Sequence, residues 1–337
     1  MRIAIVTPAP PDSRYGNRIT ALRWAKILRR LDNRVSTLEM YDGKFYDLLV
    51  ALHARKSHTS IINFRRQHPA TPVIVALTGT DLYRDIQTNQ LAQESLDIAT
   101  RIVVLQPKAI EELRPRWRRK TSVIHQSVEE GQTLTVPSYR SAKARARTPD
   151  ASERSNRSFD VCVIGHLRAV KDPFRTAIAA RSLPDSSKIR VLQIGGAMTD
   201  AMANRAHREM DTNERYRWLD EQPQARVRSI LRKSSLCVLS SRIEGGANVL
   251  SEAIAASVPI LASLVDGNVG ILGKDYPGYF EVGNTTQLAR LLTRAETSPA
   301  YLAELTAWTK GLAILADPSR EEQAWSELIN ELFVQRN

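Results

Sequence analysis

The stretch SRIEGGANVLSEAIAASVPILA, residues 241–262, sets Glu244 and Glu252 on either side of a Gly-Gly turn and an apolar run of helical spacing. Packing alone asks for small or apolar residues beside such a run, so two carboxylates there ask for a partner they can grip. SLCVLSS (235–241) before it and PILAS (259–263) after it read as buried strands. Strand, glycine turn, helix and strand together are the unit of a parallel sheet. If the helix opens near Ala247, the N–H groups of Gly246, Ala247, Asn248 and Val249 are the unpaired donors of its first turn, and their dipole favours an anion. Gly245 and Gly246 remove side chains that would hold a phosphate off those amides. Asn248 and Glu252 lie one turn apart, so Glu252 faces the phosphate side. A carboxylate there is repelled unless it accepts hydrogen bonds, and a ribose 2′,3′-diol supplies two donors. Glu244, on the loop, is placed for the hydroxyls of a sugar on the far phosphate. On spacing alone, a helix-end acid and an exposed helical glutamate read the pair equally well.

A second motif lies upstream. VIGHLRAVKDP (163–173) is a strand end followed by Arg168 and Lys171, cations suited to neutralising a departing diphosphate. Either residue alone reads as a surface cation; a basic strand-end loop together with an anion-ready helix is the rarer combination.

Farther out, short apolar strands alternate with amphipathic segments in both halves of the 337-residue chain, too long for one ordinary core. Strands are expected at 2–7, 33–39, 47–52, 72–78, 101–105 and 121–126, then at 159–165, 188–196, 215–221, 235–241 and 259–263. A helix is expected over 17–31, with Thr20, Leu22, Trp24, Ile27, Leu28 and Leu31 forming its apolar face. The expected organisation is an α/β domain over 1–130, a basic linker over 131–157, a second α/β domain over 158–316, and a last helix over 317–337 packing back on the first domain. Two doubly wound sheets of this kind bind ligands at their carboxyl ends, across the cleft between them.

Composition trims the alternatives. No stretch approaches the ~20 apolar residues of a membrane span. The opening MRIAIVTPAPP reads as a strand entering a proline-rich loop, which predicts a cytoplasmic protein without a signal peptide. Cys162 and Cys237 sit in apolar runs as small hydrophobes, and the six histidines show no metal-ligand spacing, so no metal or other cofactor is expected. The net charge of +12 raises an anionic partner. Much of it lies in 114–120 and in the linker, which lacks the interleaved aromatics of a nucleic-acid surface and reads first as a solvated connector.

VIGHLRAVKDP and EGGANVLSEA resemble the donor half of retaining GT-B glycosyltransferases, whose signature is a glutamate pair with seven residues between, behind a strand-end basic loop. The resemblance implies two facing Rossmann-like domains, a nucleotide-sugar donor, Glu252 on the ribose, Glu244 on the donor sugar and Lys171 at the diphosphate. The family's arginine follows the strand-end glycine directly. Here His166 stands in that place and the arginine is Arg168, which leaves open which of them touches phosphate.

In the first half, YGNRITALRWAKIL (15–28), DLLVALHARKSHTSI (47–61), VALTGTDLYRDI (75–86), VVLQP (103–107) and HQSV (125–128) resemble the selenosugar synthases (SenB) of selenoneine biosynthesis. This implies joining selenophosphate to the glucose or N-acetylglucosamine of a UDP-sugar. Gly16, Asn17 and Arg18 then open a second anion-ready helix. His53, Arg55, Lys56, Thr78, Thr80, Asp81 and Arg84 would face the donor, His53 either as a catalytic or sugar-contacting group or as a structural histidine. An ordinary transferase with an alcohol acceptor and a non-enzymatic binding module are the competing readings.

Overall fold

The computed structural model describes residues 1–128 and 158–334. The linker expected over 131–157 lies outside the described residues.

The chain folds into two α/β domains, each on a six-stranded sheet in which every pairing is parallel. The first comprises β1 (Arg2–Val6), β2 (Arg34–Leu38), β3 (Leu48–Leu52), β4 (Val73–Leu77), β5 (Arg101–Val104) and β6 (Thr121–Val123), in the order β2-β1-β3-β4-β5-β6. The second comprises β7 (Phe159–Ile164), β8 (Ile189–Ile194), β9 (Tyr216–Trp218), β10 (Leu236–Leu239), β11 (Ile260–Ser263) and β12 (Tyr279–Phe280), in the order β12-β11-β10-β7-β8-β9. LLVAL in β3 and VIVAL in β4 are buried at every position. Unbroken apolar runs of this kind mark strands covered on both faces.

The covering helices are α1 (Gly16–Arg30), α2 (His58–Gln67) and α3 (Gln90–Ile98) in the first domain. The second carries α4 (Arg175–Arg181), α5 (Asp200–Thr212), α6 (Gln224–Lys233), α7 (Asn248–Ala255), α8 (Asp266–Leu272), α9 (Thr285–Thr297) and α10 (Pro299–Gly311). α11 (Pro318–Val334) returns to the first domain. Its Trp325, Leu328 and Leu332 join Trp24, Ile27 and Leu28 of α1 in one core, the two indoles meeting edge to face at 4.9 Å. Side chains of this size each contribute about 1.5–3 kcal/mol on full burial, enough to hold an amphipathic helix that has no sheet of its own. The end of the first domain meets the returning chain where Val128 N–H donates to the Ala316 carbonyl at 3.0 Å.

The apolar face expected for α1 needs one correction. Leu22 is 42% exposed, while Arg23, counted as polar, is 8% exposed. The helix turns Arg23 inward because a buried carboxylate, Glu321, waits for it on α11. The edge strand β12 was not anticipated; its two residues follow Pro277 and Gly278 and carry no periodicity to read.

Candidate active site

In each sheet the chain reverses direction of travel beside its first strand. That puts the loops after β1 and β3 opposite the loops after β7 and β10, at the carboxyl ends of both sheets. Two confluent cavities fill the space between them. One, of about 240 Å³, is lined by His53, Lys56, Thr78, Thr80, Gln126 and Glu244 among others. The other, of about 350 Å³, is walled by Ile19, Leu22, Ile164, Ile194, Val227 and Val249, with Glu252 at its side. Gly16, His166, Arg168, Lys171, Ala247 and Asn248 border both. The amino end of α7 and the basic loop after β7 therefore stand at the neck between an apolar slot and a polar chamber.

On the second-domain side, α7 begins at Asn248 with Ala247 as its cap, and among the described residues no side chain caps its first turn. The amides there remain available to an anion. Lys171 is 2.5 Å from Glu244 Oε1, and Ser241 Oγ donates to the same oxygen at 2.5 Å. With Glu244 only 7% exposed, these two donors stabilise a carboxylate that burial would otherwise destabilise. Arg168 is exposed and its side chain makes no ion pair or hydrogen bond among the described residues, so its charge is uncommitted. His166 leans on the loop after β1: its Nε2 lies 3.3 Å from the Arg14 carbonyl and its ring meets Tyr15 edge-on at 5.4 Å. Glu252 differs from Glu244. Burial pushes its carboxyl up to about 7, against the opposing pull of Arg23 and Arg228.

Three residues do work beyond what the sequence suggested. A Cβ on Gly245 would lie 2.6 Å from the Thr78 carbonyl carbon and the Gly79 nitrogen, and one on Gly246 would lie 2.6 Å from Leu105 Cβ. Both glycines are thus needed for the close approach of the first domain, where the sequence pointed only to phosphate. Asn248 turns its side chain from the α7 amides to the first domain, accepting from Arg23 Nη1 at 2.8 Å.

On the first-domain side, His53 is 3% exposed and holds a φ of +73° just past β3. Such a conformation is costly for a residue with a side chain. The Lys56 N–H donates to its Nδ1 at 3.4 Å, and its Nε2 faces Thr80 Oγ1 at 3.3 Å. Gly16, Asn17, Thr78, Thr80 and Lys56 line the polar chamber. Asp81 does not, and the expectation that it meets substrate is corrected. It is fully buried, its Oδ1 accepting from the Thr78 and Gly79 amides at 3.0 and 2.9 Å and its Oδ2 from Ala54 N–H at 3.1 Å. It is the staple of the loop after β4. Arg18 borders the apolar slot, not the polar chamber, and donates to the Pro11 carbonyl at 3.1 Å. Arg55 is paired with Asp85 at 2.8 Å, and Arg84 borders neither cavity.

Ile19, Leu22 and Val227 wall the slot in addition to the residues expected from sequence. Arg14, not among the residues expected from sequence, crosses the cleft to Glu221 at 3.4 Å and donates to the Gln222 carbonyl at 2.6 Å. Leu22 had a signal, a leucine beside an anion-ready helix start, but was assigned to the core. Among the described residues no three His, Cys, Asp or Glu side chains form a metal-binding group, and no helix is long and apolar enough to cross a membrane.

Two parallel Rossmann-like sheets facing across a cleft, with a last helix returning to the first domain, define the GT-B fold. Comparison with known proteins agrees. Residues 145–310 match the family described as glycosyl transferases group 1. Over its full length the structure is similar to sucrose-phosphate synthase from Thermosynechococcus elongatus (15% identity, TM-score 0.77, 99% of each chain). It is likewise similar to Anabaena Alr3699/HepE in complex with UDP-glucose (13% identity, TM-score 0.76, 98% of this chain and 100% of that one). In sequence it is 24% identical, over 226 residues, to glycosyltransferase 1 domain-containing protein 1 of Xenopus tropicalis. That match takes in 66% of this chain and 65% of the relative's length.

Proposed function

We propose that the protein is a UDP-sugar glycosyltransferase whose acceptor is a small anion, selenophosphate, and whose product is a selenosugar with a carbon–selenium bond. The observation that carries the donor half is the neck between the two cavities. An apolar slot with an acid at its side suits a nucleoside, a helix amino end and Arg168 suit its diphosphate, and the polar chamber beyond suits the sugar. The HepE complex with UDP-glucose supports this donor class by similarity of fold.

In this reading Glu252 accepts from the ribose diol and the amides of Gly246 to Val249 meet the diphosphate. Arg168 and Lys171 stabilise the charge that grows on UDP as the bond from the anomeric carbon to the phosphate oxygen breaks. The electron pair of that bond leaves with UDP, and a selenium lone pair forms the new bond to carbon. No alcohol proton has to be removed, so no general base is assigned. Glu244, held by Lys171 and Ser241, meets the donor sugar. Lys56, exposed at the chamber wall and without an ion pair among the described residues, supplies first-domain charge for the acceptor, with Asn17, Thr78, Thr80 and His53 around it. A phosphorylated or neutral sugar alcohol as acceptor is the second reading, favoured by the similarity to a sucrose-phosphate synthase.

Incubation with UDP-glucose or UDP-N-acetylglucosamine and selenophosphate, followed by mass spectrometry, separates the two. The proposal expects UDP and a selenium-bearing sugar in equal amounts. UDP release that depends on an added sugar alcohol and ignores selenophosphate would support the second reading instead.

A further inference from the structure

A buried polar relay reaches the cleft from outside it. Glu321, in the first turn of α11, is 2% exposed and borders neither cavity. It accepts from Arg23 Nε at 3.0 Å and Trp24 Nε1 at 2.7 Å, and from the Ser127 N–H and hydroxyl at 2.8 and 2.5 Å. Arg23 commits only its Nε to this acid. Its Nη1 donates to Asn248 Oδ1 and its Nη2 to Gln126 Oε1, both at 2.8 Å. Gln126 Nε2 in turn donates to the Gly246 carbonyl at 2.6 Å.

Gly246 and Asn248 flank Ala247, the cap of α7. The amino end of the helix is therefore gripped on both sides by first-domain side chains, and the guanidinium that joins them is oriented by one carboxylate of the C-terminal helix. We propose that Glu321 is a positioning residue for the donor diphosphate: through Arg23 it fixes where the first-turn amides of α7 stand relative to the first domain. The inference rests on the reading that those amides hold the diphosphate.

The chemistry of the relay favours positioning over bulk stabilisation. A buried ion pair contributes little beyond what well-packed apolar residues of the same volume would, because desolvation cancels most of the attraction. What the planar guanidinium adds is a rigid fork that holds three partners at fixed angles, which a lysine cannot do.

Arg23→Lys keeps the charge and one contact with Glu321 but cannot reach Asn248 and Gln126 together. The relay predicts a thermal midpoint close to that of the unchanged protein and UDP affinity weakened roughly tenfold by calorimetry. It also predicts faster hydrogen exchange in the ligand-free peptide spanning 244–255. Glu321→Gln should weaken UDP affinity and speed exchange in the same direction, with a lower thermal midpoint as well, because it leaves Arg23 buried without its carboxylate. Combining it with Asn248→Ala should cost less in UDP affinity than the sum of the two, since both break one chain of contacts. Lower thermal midpoints with UDP affinity and exchange unchanged would reduce Glu321 to a structural brace and overturn the proposal. Failure of the unchanged protein to bind UDP would instead sink the donor assignment, while the exchange measurement, made without ligand, still decides the relay.

Discussion

Glu244 and Glu252 are the same residue type, seven residues apart by intervening count, yet they live in opposite conditions, the first buried and the second half-buried beside the slot. Glu244 is clamped by a lysine and a serine hydroxyl on one oxygen. Glu252 has no hydrogen-bond donor to its carboxyl among the described residues, and burial pushes that carboxyl up to about 7. The first is a finished piece of the site. The second makes no such hydrogen bond, and under the proposed function that difference separates a residue that shapes the pocket from one that holds the ribose.

The largest expected effect comes from breaking the finished member. Lys171→Met leaves Glu244 buried without its cation, and unfolding in denaturant should show a loss of roughly 3 kcal/mol, with transfer activity abolished. Gly245→Ala attacks the turn between the glutamates. Its methyl would meet Thr78 and Gly79 backbone at 2.6 Å, so the domains must part. We expect a destabilisation of about 1–3 kcal/mol and a larger radius in small-angle scattering.

Glu252→Ala should do the reverse of Lys171→Met. Stability holds or rises, because a half-buried ionisable group is gone, while UDP affinity falls by about 1.5–3 kcal/mol, or roughly 10- to 150-fold, in calorimetry.

The smallest effect is titration of Glu252, and its sign is fixed. Because its carboxyl is raised above the ordinary carboxylate range, the protonated form contributes stability at low pH that is lost as pH rises through about 7. UDP, offering ribose donors, prefers the carboxylate, so its affinity should tighten between pH 6 and 8 with release of a proton. Calorimetry in two buffers of different ionisation enthalpy reads that proton, and Glu252→Gln should flatten the profile.

The second-domain half of the site was legible because its parts are neighbours in sequence. The acid pair, the glycine turn and the helix start occupy residues 244–252, and the expected strands fall on β1 to β11 because buried parallel strands announce themselves as apolar runs. The first-domain half was less legible. Asp81 and Lys56 both sit at strand ends, and nothing local tells the one that staples a loop from the one that lines a cavity. Glu321 was invisible: it reads as a surface glutamate on an amphipathic helix, and its partners Arg23 and Trp24 lie almost 300 positions away. The role of Gly245 was half seen, since a glycine needed for contact with another domain looks the same in sequence as one needed for contact with phosphate.

A crystal structure with UDP bound tests the central claim most directly. The account predicts the diphosphate against the amides of residues 246–249 with Arg168 folded onto it, the uracil in the slot beside Leu22 and Val227, and both ribose hydroxyls on Glu252. UDP bound away from α7, or Glu252 left without a ribose contact, would contradict it.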